Sequence, residues 1–491
     1  MPPTGNHPAI HGTAGPAVAF CPSEYRELRE ERRLAHLWSA YGGRAVTTPE
    51  STGRQGRAPE AGAPPQEPPT LTAEPANTPP PPPAAFRPAG KRPRIWAASA
   101  LLLLLVALAV QALRPLPAPT LSLSADATYT FEGSSPSLPW PTEGQGWMSV
   151  AGLGTMDRFG EQNPVPIGSV AKAMTAYVIL REHPLQPGAD GPSVTVDAKA
   201  QKEGGYDAAG ESTLNTVKEN DRLSLKDALS ALMIPSANNI ARLLARWDSG
   251  SEEAFAGKMN AAARRLGMDR TTYTDPSGLK ETTVSTAEDQ VKLGNELVKI
   301  KALTDITRLP QWKDPSGRTW RNFNSLVPFD NAIGIKTGST TKAGGNLLFA
   351  ATRKTGRQTV TVVGAILGQH RAPVIDTVNA VSKKVMAAAR NALQERALMD
   401  KGTVVGHVDD GLGGRTPVVT SEPVSVVGWT GLTAKLKLGN GGTAIPHTAP
   451  AGKRVGVLSI GDGTGSAVEV PVELRRDLGQ PGTAARLTRL G

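Results

Sequence analysis

Ile95 to Leu113 (IWAASALLLLLVALAVQAL) runs for 19 residues without a charge. At about 1.5 Å per residue, a helix of that length matches the hydrocarbon thickness of a bilayer. Lys91, Arg92 and Arg94 crowd its N-terminal flank, and Arg114 is followed by Pro115, Pro117 and Pro119. Positive charge stays on the cytoplasmic side, so the spacing predicts a single-pass segment with its N-terminus in the cytoplasm and everything after Arg114 outside. A cleavable signal peptide is the competing reading, since Ala107-Leu108-Ala109 offers a small-x-small site. Against it stand the length of the run and its position deep in the chain. A buried core helix fits poorly with a run that is apolar all round and lies between proline-rich stretches.

The span divides a chain of 491 residues unevenly. Of its 42 prolines 22 fall before residue 120, so much of that part is expected outside any core. Residues 1–94 read as a mostly disordered, proline-rich cytoplasmic arm with the run Pro79 to Pro83 and no identified partner. Within it, Ser23 is placed to cap a short helix from Glu24 to Tyr41. Residues 114–140 read as an extracytoplasmic linker. One cysteine (Cys21) and seven histidines without a His-Glu-x-x-His pattern give no disulfide framework and no thiolate or zincin metal site. No cofactor is expected. The net charge of +10 is spread along the chain rather than gathered in a stripe, which speaks against nucleic acid and suits an anionic lipid surface or envelope polymer.

Beyond residue 140 three short patterns follow in order. Ser169-Val-Ala-Lys172 opens after Gly168 at the start of a run free of Pro and Gly, which predicts a helix beginning near the serine. Lys172 then lies one turn on, on the same face, within reach of the hydroxyl. A serine hydroxyl needs a base to become a nucleophile, and an amine can serve if burial or a nearby cation disfavours its charged form. Ser236-Ala-Asn238 sits where Pro235 breaks one apolar-periodic segment from the next, offering a hydroxyl for proton relay and an amide for substrate contacts, or simply a helix cap. Lys336-Thr337-Gly338 belongs to a predicted strand, Ala332 to Thr340, followed by apolar runs at Asn346 to Thr352 and Gln358 to Leu367. An edge strand of this kind can hold an extended peptide, with Gly338 allowing close approach, or can be a polar edge guarded by lysine. Each pattern alone is commonplace. All three in this order, outside a membrane, are not.

Together they resemble the serine-type D-alanyl-D-alanine carboxypeptidases, the low-molecular-mass penicillin-binding proteins. The likeness extends through Ser169-Val-Ala-Lys-Ala-Met-Thr-Ala-Tyr-Val-Ile-Leu, Asp275-Pro-Ser-Gly-Leu, Ser285-Thr-Ala-Glu-Asp and Lys336-Thr-Gly-Ser-Thr-Thr-Lys-Ala-Gly-Gly-Asn-Leu, and covers about residues 140 to 395. It implies a peptidoglycan stem peptide ending in D-Ala-D-Ala as substrate and β-lactam antibiotics as covalent ligands. It further implies Ser169 as nucleophile, Lys172 as base, and Ser236 as proton carrier to the leaving amine. Asn238 would hold the substrate amide and fix Lys172. Lys336 would help keep Lys172 neutral, Thr337 and Thr340 would bind the terminal carboxylate, and the Ser169 and Ser339 amides would form the oxyanion hole.

Some residues depart from the family pattern. Gly168 stands where Ala is usual, which is expected to loosen the turn, and Asn239 stands where Asp is common. Arg371 is a candidate carboxylate contact or a surface cation. Gln480 to Gly491 is too short for a C-terminal amphipathic anchor, a task the N-terminal span would take over. Glu211-Ser-Thr-Leu-Asn215 matches the Glu-x-x-Leu-Asn loop of class A β-lactamases, but it precedes Ser236 instead of following it and reads as coincidence. A catalytically silent membrane scaffold is the other alternative, and it is disfavoured by retention of every motif residue.

Alternation in Thr403 to Val408, Ala434 to Leu438, Arg454 to Ile460 and Ala467 to Leu474 predicts a small antiparallel β domain. The expected fold is therefore α/β (α+β): a β-lactamase-like or penicillin-binding-protein-like transpeptidase domain with a helical subdomain (141–395), a β domain (400–476) and a tail (477–491), behind a transmembrane helix (95–113).

Overall fold

A computed structural model describes residues 93–356, 358–463 and 468–488. The candidate helix at Glu24 to Tyr41 and the proline-rich arm lie outside the described residues. The chain forms two units, 1–111 and 112–491. In the first, the described part is the start of a helix, Pro93–Leu113. Its stretch Ile95–Leu113, with mean hydropathy 2.3, is long and apolar enough to cross a membrane, and none of it is buried in protein.

The second unit is built on a five-stranded antiparallel sheet. Its strand order is Ala332–Thr340, Gly344–Thr355, Gln358–Gln369, Gln145–Val150, Gly154–Phe159. Side chains alternate faces along a strand, so one strand can serve two cores. Leu347, Phe349 and Ala351 join one apolar cluster with Val378, Val385 and Met386 of the long helix Val374–Ala392. Leu348 and Ala350 join a second cluster with Val291 and Leu293 of the helix Ala287–Leu297. That is why the central strands read as near-continuous apolar runs. Gly294 lets the second helix lie close, since a Cβ there would stand 2.6 Å from Val363 Cγ1. Phe349 is fully buried, and its loss would cost about 3–5 kcal/mol.

The helical subdomain surrounds Lys172–Glu182, a helix whose residues from Lys172 to Leu180 are all buried. An all-round buried helix belongs at the centre of its layer. Around it run Leu225–Met233, Asn238–Ser249 and Glu252–Arg265. Ser224 and Ser251 cap two of these by accepting from the amides of Asp227 and Ala254. In the last helix acidic Glu252 and Glu253 open the first turn and Arg264 and Arg265 close the last, both complementing the helix dipole.

The C-terminal region forms a seven-stranded antiparallel sheet. Six of its neighbours are Thr120–Leu123, Val404–Asp409, Arg415–Thr420, Val468–Leu474, Arg454–Gly461 and Thr433–Gly439, and Thr128–Thr130 completes the far edge. The segment 114–140, expected as a linker, thus supplies both edge strands, with Leu121 opposite Val408 and Thr130 opposite Thr433. Pro119 directly precedes the first of these short strands, which an edge strand tolerates because it bonds on one side only. The expected break between 395 and 400 is crossed by a strand, Gln394–Met399, paired with Val424–Gly428. In the expected tail, Leu478 is buried and its backbone pairs with Ala449, and a short helix spans Thr483–Thr488.

Candidate active site

Ser169 lies in a 3-10 turn, Gly168–Ala171, and the α-helix starts three residues later than expected, at Lys172. In a 3-10 turn, side chains at i and i+3 eclipse, which brings Lys172 Nζ within 2.7 Å of Ser169 Oγ. Gly168 has φ +51, a conformation that glycine adopts freely, so the departure from Ala accommodates the turn rather than loosening it.

Lys172 is fully buried. Its Nζ lies 2.6 Å from Asn238 Oδ1 and donates to the Ser277 carbonyl at 3.1 Å. Burial holds its pKa well below the ordinary lysine value, and the charge of Lys336 and, to a smaller degree, Arg242 pushes it the same way, against Asp275 and Glu211. A neutral amine has two N–H bonds and one lone pair. In that state Asn238 Oδ1 and Ser277 O can take the two hydrogens, which leaves the lone pair for the Ser169 hydroxyl.

Ser236 has φ +63, the left-handed region that side chains avoid, and its buried Oγ has no hydrogen-bond partner among the described residues. The cap of the following helix is Ala237, without a side-chain bond, so neither Ser236 nor Asn238 is spent on capping. Asn238 Nδ2 instead donates to Glu211 Oε2 at 3.0 Å. Asn239 ties the neighbouring loop, accepting from the Leu214 amide and donating to the carbonyls of Ala200 and Leu214.

Lys336 is buried on the edge strand, and its Nζ donates to the Thr337 carbonyl at 2.9 Å. Burial without a counter-charge lowers its pKa to about 7. Gly338 meets the turn that carries Ser169 backbone to backbone: a Cβ there would stand 2.6 Å from Val170 N and 2.8 Å from Ser169 N. Only glycine fits that approach.

These elements enclose a cavity of about 150 Å³. Ser169, Ser212, Ser236, Thr337, Gly338 and Ser339 line it on the polar side, and Phe323 and Ile375 on the apolar side. Lys172, Asn238 and Lys336 stand buried behind the wall. Thr340 is not in the lining, and its Oγ1 accepts from the Ala343 amide in the turn that ends the strand. Arg371 is not in the lining either: it is exposed, and its backbone N–H donates to Glu143 Oε1. A larger hollow of about 410 Å³ near Asn440 and Lys453 involves none of the candidate residues. Among the described residues, no group of three or more His, Cys, Asp or Glu side chains is arranged to hold a metal.

Comparison with known proteins follows the same residues. Residues 158–366 match the family model described as D-alanyl-D-alanine carboxypeptidase. A D-alanyl-D-alanine carboxypeptidase of a Streptomyces species is 33% identical over 223 residues, covering 42% of this chain and 73% of the relative. The chain belongs to the D-alanyl-D-alanine carboxypeptidase family. Another relative, the D-alanyl-D-alanine carboxypeptidase DacF of Bacillus subtilis, is 26% identical over 56% of this chain and 71% of its own length. Among solved structures, a peptidoglycan synthesis regulatory factor from Streptococcus pneumoniae superimposes with a TM-score of 0.54 at 18% identity, over 70% of this chain and all of that one. At that identity the likeness speaks to the fold alone: the α+β arrangement expected of a penicillin-binding protein.

Within this carboxypeptidase family member, several site residues escaped the sequence reading. Asp275-Pro-Ser-Gly is recognisable as a turn, but not as the turn whose Ser277 carbonyl reaches Lys172. Asp275 shapes it, accepting from Ser277 N and Oγ, Leu279 N and Thr283 Oγ1. Phe323 and Ile375 carry no local signal at all. Glu211 belongs by sequence to a coincidental match with a β-lactamase loop, yet its carboxylate accepts from Asn238 Nδ2. Asn215, the other end of that motif, instead bonds Asp207 and Arg318.

Proposed function

We propose that this chain is a serine-type D-Ala-D-Ala carboxypeptidase that removes the terminal D-Ala of peptidoglycan pentapeptide through an acyl-enzyme on Ser169. Ser169 Oγ attacks the carbonyl carbon of the penultimate D-Ala while Lys172 Nζ takes the hydroxyl proton. The amides of Ser169 and Ser339 receive the oxyanion, a contribution of about 10²- to 10³-fold per donor. The proton passes by way of Ser236 to the leaving nitrogen, the C–N bond breaks, and D-Ala departs. Water then attacks the ester, Lys172 takes its proton, and Ser169 is regenerated. Lys336 and Thr337 bind the terminal carboxylate, and Asn238 holds the substrate amide. Penicillin acylates the same oxygen.

The observation that carries this reading is the fully buried Lys172 amine, held between Ser169 Oγ, Asn238 Oδ1 and Ser277 O. The apolar helix supports a single-pass anchor with the N-terminus cytoplasmic and the catalytic unit outside, where the polymer lies. The test is D-Ala release from a pentapeptide by the detergent-solubilised chain. Release by wild type and loss in Ser169→Ala supports the reading. Penicillin labelling without D-Ala release points to a β-lactamase if the label turns over, and absence of both points to a silent scaffold.

A further inference from the structure

Asn238 and Arg242 stand four residues apart on one face of the helix Asn238–Ser249, and a single carboxylate bridges them. Glu211 Oε2 accepts from Asn238 Nδ2 at 3.0 Å and from Arg242 Nη2 at 2.9 Å. The neighbouring residue adds a main-chain contact, the Ser212 carbonyl accepting from the Asn238 amide at 2.7 Å. Glu211 and Arg242 side chains are only 19% and 12% exposed, so this is not one of the solvated surface pairs that contribute almost nothing.

On the reading given above, we infer that Glu211, clamped by Arg242, is a positioning residue that locks the Asn238 amide with its oxygen toward Lys172 and so aims the lysine lone pair at Ser169. A carboxylate only accepts hydrogen bonds, so the Asn238 atom facing it must be Nδ2. Oδ1 is then left for Lys172. Turned over, the amide would set its oxygen against the Glu211 carboxylate and its N–H₂ against the lysine. The amine would have to spend its lone pair on that N–H, and the Ser169 hydroxyl would lose its acceptor. The letters resemble a β-lactamase loop, but the task is different: Glu211 acts on the orientation of a neighbour, not on a water shared with Asn215.

The charged groups acting on Lys172 are Lys336, Asp275, Arg242 and Glu211. Removing the Glu211 charge removes one of the two groups favouring the protonated lysine. The acid limb of the reaction therefore moves to lower pH in Glu211→Gln and Glu211→Ala alike. The two variants part on geometry, since Gln retains an acceptor for Asn238 Nδ2 and Ala does not.

Full-length chain in detergent micelles, mixed with fluorescent penicillin over a range of pH, reads both effects. Glu211→Ala should slow the acylation step about 10- to 100-fold, the worth of a hydrogen bond to a charged group, with little change in the concentration that half-saturates it. Glu211→Gln should recover most of that loss while keeping the shifted acid limb. An Ala variant that acylates as fast as wild type overturns the inference, as does a Gln variant with an unshifted acid limb, which is readable even if Ala fails to fold. Wild-type chain that takes no label at all contradicts the proposed function instead.

Discussion

Lys172 and Lys336 are both buried, and among the described residues neither forms a hydrogen bond to a carboxylate. The charge of Lys336, in a medium too apolar to screen it, is after burial the main cause of the low pKa of Lys172. An arrangement that is poor for stability is what a neutral catalytic amine requires.

The pair should therefore give a bell-shaped pH dependence in D-Ala release. On the acid side, kcat/KM rises with pH as Lys172 gives up its proton. On the alkaline side it falls as Lys336, with a pKa of about 7 in the free enzyme, loses the charge proposed to hold the peptide carboxylate. Because the amines interact, the two limbs belong to the pair. A profile flat from pH 5 to about 9 contradicts this.

Replacing Lys336 by Met should raise the melting temperature while slowing peptide hydrolysis. The folded pKa of about 7 lies below the ordinary value of 10.5, so between those values the unfolded chain holds more protons. Wild-type stability thus rises with pH across that window, and the full burial penalty is present below it. The gain from Met should be largest at pH 7 and below and should fade toward pH 10.5, as thermal melts at several pH values will read.

Gly338→Ala should lower acylation by about 10²-fold, because the new Cβ pushes the strand from the Val170 and Ser169 amides and so opens the oxyanion hole. Stopped-flow labelling with penicillin measures it. The same variant should also be less stable, since the contacts a Cβ meets are backbone and do not rotate away.

Asp275→Ala removes one buried acceptor from four donors and frees the turn that presents the Ser277 carbonyl to Lys172. A loss of about 3 kcal/mol or more in urea unfolding is expected, since buried donors left unpaired cost about 1–3 kcal/mol each. Acylation should slow as well.

The sequence was informative where chemistry is local. Ser169 and Lys172 are three residues apart, and the strands Ala332–Thr340, Gly344–Thr355 and Gln358–Gln369 occur where the strand reading and the two apolar runs after it put them. It was silent where a contact joins distant segments through atoms common to every residue: nothing about Ser277 marks its carbonyl as a partner of Lys172. Thr340 shows the converse, a residue of the right type whose hydroxyl is engaged in a turn. The strands at Thr120 and Thr128 leave little trace in the sequence because four and three residues carry too little periodicity.

The most direct test of the Ser169–Lys172 relationship is mass spectrometry of the intact and digested chain after brief exposure to penicillin. The account expects one adduct, on the peptide bearing Ser169, absent in Ser169→Ala and formed about 10²- to 10⁴-fold more slowly in Lys172→Ala. An adduct on another peptide, or a Lys172→Ala chain acylated at the wild-type rate, would contradict it.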